Sequence, residues 1–93
     1  MIGSHKTTIT EENFGNACVT SVCYHNTAVV KFDSYNIKLN TGGEFTATTK
    51  LRMNQVSEDY SLGFHVKQKK GVWYCNYENK IFSFTGNELI LPR

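Results

Sequence analysis

The pattern that most constrains this chain is an alternation of apolar and polar side chains in short runs, each run closed by a tight polar turn. Ala28, Val30 and Phe32 alternate with Val29, Lys31 and Asp33, and Tyr35, Ile37 and Leu39 alternate with Asn36, Lys38 and Asn40. Successive side chains of a strand point to opposite faces, so a period of two describes strands with the first set on a core and the second mostly in water. His25-Asn26 parts the run 18–24 from the run 27–33, which is the spacing of a hairpin. With 35–40 these runs make a three-stranded meander. Farther on, 63–69, 72–77, 80–84 and 88–91 are parted by Lys70-Gly71, Glu78-Asn79 and Thr85-Gly86-Asn87, which adds four short strands.

One segment, 49–60, has helical spacing instead. Thr49, Met53, Val56 and Tyr60 fall on a single stripe, Leu51 falls on the far side, and Thr48 or Thr49 caps the start. Gly63 is placed to end the helix. The expected order is therefore three strands, one helix and four strands. This is an α+β fold of mainly antiparallel β structure, about seven short strands, with the helix packed on the sheet or capping a small curved barrel.

At 93 residues and 10.6 kDa there is room for one domain. Residues 17–93 are expected to form it. Residues 1–16 have only Ile9 and Phe14 as apolar anchors beyond the first turn and read as a polar N-terminal arm, partly mobile. Ten Thr, nine Asn and a single Pro favour strands and polar turns over a helical bundle. A net charge of +2 is well short of the footprint of a strong electrostatic DNA binder. The N-terminus lacks the apolar run of a secretory signal and no stretch is long enough for a membrane helix, so membrane association is not expected. Three cysteines, Cys18, Cys23 and Cys75, leave one unpaired in any disulfide scheme and fit a reducing compartment.

The residues offer no reaction centre. In a regular strand Cys18 and Cys23 point to opposite faces, and Cys23 with His25 or Cys75 with His65 supplies two ligands where structural zinc takes four. No nucleophile elbow, paired acids or phosphate-binding glycine pattern occurs. Catalytic residues, a metal and a cofactor are accordingly not expected. Two surfaces remain. In the first, His65, Lys67 and Lys69 share one strand face while Trp73, Cys75 and Tyr77 share another, next to Lys70. A register that unites the two sets makes a cationic face with two large aromatics, suited to a protein partner or to stacked bases and phosphates. The plainer alternative puts Trp73 in the core and leaves the lysines as solubilising charges. Leu51, on the far side of the helix, belongs to the partner-binding set if exposed. The second surface is Gly42, Gly43, Thr48, Thr49, Lys50 and Arg52, where backbone amides, hydroxyls and two cations at a helix start would hold an anion or nucleic acid. Its alternative is a capped helix with solvated cations.

The stretch Leu39-Asn40-Thr41-Gly42-Gly43, with Thr46, Thr48-Thr49-Lys50, Arg52-Met53-Asn54-Gln55, Leu62-Gly63-Phe64, Val66, Gln68-Lys69 and Trp73-Tyr74, resembles a family of small uncharacterised tailed-bacteriophage proteins. The resemblance spans about residues 28–91. Such sequences commonly carry an aromatic directly after the glycine pair, where this chain has Glu44, so any contact made by that ring is altered here. The resemblance implies a phage protein acting in the host bacterial cytoplasm. A small non-enzymatic phage protein of this kind is expected to bind and modulate or inhibit a host protein, such as a defence component. A nucleic-acid-binding module is the alternative. Exposed edge strands leave a homodimer open.

Overall fold

The computed structural model describes residues 1–93. Nine elements follow in chain order: β1 (Thr7–Phe14), β2 (Ala17–Tyr24), β3 (Thr27–Phe32), β4 (Asn36–Asn40), α1 (Ala47–Asp59), β5 (Phe64–Lys69), β6 (Val72–Tyr77), β7 (Lys80–Ser83) and β8 (Glu88–Pro92). They form two antiparallel sheets, ordered β1-β2-β3-β4-β8 and β5-β6-β7. The α+β class and the helix between two groups of strands agree with the sequence. The sheets are open, and neither closes into a barrel.

Four expectations about the strands are corrected. Residues 7–14, read as part of an arm, are the edge strand β1, paired along its length with β2 from Thr7↔Tyr24 to Phe14↔Ala17. The strand count is therefore eight, with four before the helix. Almost every residue of β1 is exposed, so it lacks the one-sided alternation that marks a half-buried strand. Second, the last strand does not extend the C-terminal meander. It returns to the first sheet, where Ile37 faces Leu91 and Leu39 faces Leu89, and Leu91 is buried there. Third, the β2–β3 register shifts between Val22 and Cys23, so Val29 is an extra residue and is buried beside Val30 instead of facing water. Tyr35, also expected inward, lies in the turn before β4 and is exposed.

The core is one cluster drawn from both sheets and the helix, including Val22, Val30, Ile37, Leu39, Met53, Val56, Phe64, Val66 and Leu91. Thr49, Met53 and Val56 are buried as their stripe requires. The cap differs from the two threonines expected: Thr46 is extended (φ −107°, ψ 160°) and its Oγ1 accepts from the Thr49 N–H at 3.2 Å. The helix ends before Gly63. Ser61 takes the left-handed conformation (φ 53°), and the Leu62 N–H returns to the Ser57 carbonyl at 2.8 Å.

Polar side chains of α1 close the free edge of β5. Ser57 Oγ donates to the Phe64 carbonyl at 2.7 Å and accepts from the Phe64 N–H at 3.0 Å. Asn54 Oδ1 accepts from the Val66 N–H at 2.7 Å, and its Nδ2 donates to the Val66 carbonyl at 3.0 Å. Lys50 Nζ reaches Gln68 Oε1 at 3.5 Å. Helix positions 50, 54 and 57 lie on one side of α1, matching strand residues 68, 66 and 64 whose backbone groups face the same way. The Lys-rich strand is thus covered along its outer edge by the helix, and its lysines are not edge guards.

Gly42 has φ 64°, and a Cβ there would fall on the Thr27 side chain. Gly42→Ala is expected to cost about 2 kcal/mol, from the left-handed backbone and the collision together. Asn54→Ala leaves an N–H and a carbonyl of Val66 without side-chain partners. Urea denaturation is expected to show a loss of roughly 2 to 3 kcal/mol for it, and less than about 0.5 kcal/mol for the exposed Glu58→Ala.

Candidate binding surface

The two-residue turn at Lys70-Gly71 sets the β5–β6 register, and it separates the lysines from the aromatics they were expected to join. Lys69 pairs with Val72, Lys67 with Tyr74 and His65 with Asn76, while Gln68 pairs with Trp73, Val66 with Cys75 and Phe64 with Tyr77. Directly opposed residues share a face. Trp73 and Tyr77 are therefore core residues, which corrects their assignment to an exposed partner-binding face. The turn already implied this, because a two-residue loop pairs odd numbers with even ones across it.

The outer face has its own composition. Across β6 and β7, Tyr74 faces Ser83 and Asn76 faces Ile81, so three rows run His65-Asn76-Ile81, Lys67-Tyr74-Ser83 and Lys69-Val72. Val72 is 60% exposed and Ile81 73% exposed. Lys70 adds a cation in the turn at φ 52°. Tyr74, which sequence reasoning passed over, is the aromatic on this face. Leu51 is 51% exposed on the solvent side of α1, as its position on the helix indicated.

Trp73 closes one end of the core. It is 4% exposed, with Phe45 and Phe84 standing nearly perpendicular to it at ring-centroid distances of 5.2 and 6.0 Å. Lys50 Nζ lies 5.9 Å from its centroid. Its indole Nε1 is buried without a hydrogen-bond partner, an arrangement that costs about 1 to 3 kcal/mol of desolvation.

The second surface divides. Gly42, Thr48 and Thr49 line a cleft of about 490 Å³ together with Thr27, Thr41 and Glu44, and Gly43 (φ 86°) continues the turn beside it. Neither expected cation faces this cleft. Lys50 turns to Gln68 and Trp73. Arg52 is 7% exposed: its Nε donates to Thr7 Oγ1 at 3.0 Å, its Nη1 donates to Gln55 Oε1 at 3.1 Å, and its guanidinium lies 5.6 Å from the Tyr24 ring centroid. A carboxylate, Glu44, lines the space where the anion was expected, so the assignment of Lys50 and Arg52 to one anion cradle with the glycines is corrected. The helix winds Lys50 and Arg52 to different sides, about 200° apart at 100° per residue.

The thiols are dispersed: Cys18 is exposed, Cys23 half-buried and Cys75 buried. No three His, Cys, Asp or Glu side chains converge as metal ligands would. Burial pushes the Cys75 thiol up to about 11 from 9.0, with a backbone hydrogen bond at His65 opposing the shift. A raised acid holds its proton more tightly when folded. The stabilising contribution of this group is therefore complete below pH 9 and lost as pH rises through about 11. In a thiol-exchange assay at pH 8, the exposed Cys18 is expected to react in the folded protein, and Cys75 only on unfolding, with a rate lower by about a hundredfold or more.

The fold is that of a small open-sheet α+β protein. A family model described as Kyanoviridae Gp96 protein matches residues 1–90, and the chain belongs to this phage protein family. No curated protein and no solved structure matches it. None of its helices is long and apolar enough to cross a membrane.

Proposed function

We propose that this phage protein is a non-enzymatic accessory factor that binds and modulates or inhibits a host protein in the bacterial cytoplasm, using the outer face of β5-β6-β7. The carrying observation is the exposed pair Val72 and Ile81 set among His65, Lys67 and Lys69 around Tyr74. Two large aliphatic side chains in water on one three-stranded face gain free energy when covered, and the surrounding cations favour a partner with an acidic rim. The area is small, so the complex rests on a few central residues. A nucleic-acid interface on the same face is the second reading, supported by Tyr74 standing between Lys67 and Ser83. One half-buried ring offers less stacking than two, and the move of Trp73 into the core weakens that reading.

The test compares recovery of a host protein from infected-cell extract by wild type, Ile81→Ser and the Lys67→Glu, Lys69→Glu double variant, with the affinity for the recovered protein then measured in solution. Each variant is expected to weaken binding by about tenfold or more. Undiminished binding by both removes the outer face as the interface. A mobility shift with oligonucleotides that falls steeply as salt rises would favour the nucleic-acid reading instead.

A further inference from the structure

The end of the core around Trp73 contains an unpartnered donor, a cation and a removable cover. Trp73 Nε1 is buried with no acceptor, and Lys50 Nζ lies 5.9 Å from the indole centroid. That ammonium has no carboxylate within salt-bridge distance, its one side-chain partner being the neutral Gln68 Oε1 at 3.5 Å. An oxyanion is the group both donors lack. Phe45 stands edge to face on the indole, yet is itself 46% exposed. It occupies the single position between the turn closed by the Glu44 N–H on the Thr41 carbonyl (3.0 Å) and the helix cap Thr46. Its side chain can turn away by rotation about χ1 while both flanking structures stay in place.

We infer that displacement of Phe45 opens a site at Trp73 for a carboxylate-bearing, aromatic segment of a protein partner. The carboxylate accepts from Trp73 Nε1–H and from Lys50, and the partner's ring takes the place of the Phe45 ring against Trp73. One cation and one neutral donor match a singly charged carboxylate, and the vacated apolar slot accounts for the aromatic neighbour. This site deepens the protein-partner reading, on which it rests, and adds a contact at the helix end distinct from the outer sheet face. It also gives the loop after Gly42-Gly43 a function: Phe45 keeps the site closed until a better-matched ring arrives.

Trp73 is the chain's only tryptophan, so its fluorescence reports this site alone. The probe is the capped tripeptide acetyl-Glu-Phe-Glu-amide, with acetyl-Gln-Phe-Gln-amide and oligothymidylate as comparison arms. A saturable change in Trp73 emission is expected with the acidic peptide. Lys50→Gln should weaken it by about tenfold. Phe45→Ala should tighten it by about threefold or more, because the closed population no longer holds the ligand off. The inference is overturned if neither wild type nor Phe45→Ala responds, if the Gln peptide matches the Glu peptide, or if only oligothymidylate produces the change. The Lys67→Glu, Lys69→Glu variant separates the two readings. Loss of the host protein with an intact peptide response upholds the Trp73 site, whereas capture of the host protein with Trp73 silent to every probe removes this site and leaves the outer-face reading standing.

Discussion

The structure depends on the hydrogen bonds that α1 lends to the edge of β5. A three-stranded sheet in a chain of this size has two exposed edges, each with unpaired backbone groups that invite association. Here one edge is closed from within the chain, because Ser57 and Asn54 bind both backbone groups of Phe64 and Val66 while Met53 and Val56, from the same helix, enter the core. The helix therefore fixes where the second sheet lies relative to the first. Once β5 is held at that edge, the β5–β6 turn determines which side chains of β6 face inward, and everything proposed for the surface follows.

That chain of dependence divides the sheet into two chemically different sides. The inner side is aromatic and ends at Trp73, whose indole nitrogen is left without an acceptor. The outer side is cationic with two exposed aliphatic residues. Lys50 borders the inner side, since it leaves the helix on the β5 side, reaches Gln68 and comes to rest beside Trp73. Glu44 lines the threonine-lined cleft, and the next residue, Phe45, covers Trp73.

Much of the architecture was legible because the relevant signals are local. Alternation located seven of the eight strands, and the stripe Thr49, Met53 and Val56 located the buried side of α1. β1 escaped because it is exposed on both faces, and a strand with no buried side carries no alternation to read. The bulge at Val29 escaped for a related reason: an extra residue turns two neighbouring side chains inward, which a strict period of two assigns to opposite faces. The site was less legible. The odd-to-even pairing across Lys70-Gly71 was available in the sequence and would have put Tyr74, not Trp73, among the lysines. The separation of Lys50 from Arg52 also follows from helical geometry.

The sequence by itself determined an antiparallel α+β domain with one helix, the turns that punctuate it, and membership of a phage protein family whose model matches residues 1–90. These rest on period, turn chemistry and order, all properties of neighbouring residues. Only the tertiary structure decided that β8 crosses back to β4, that Arg52 is buried against Thr7 and Tyr24, and that Trp73 lies under Phe45 with an idle donor. Each is a meeting of residues distant along the chain. Such meetings are selected by the joint packing of both sheets and the helix, for which no single segment holds the information.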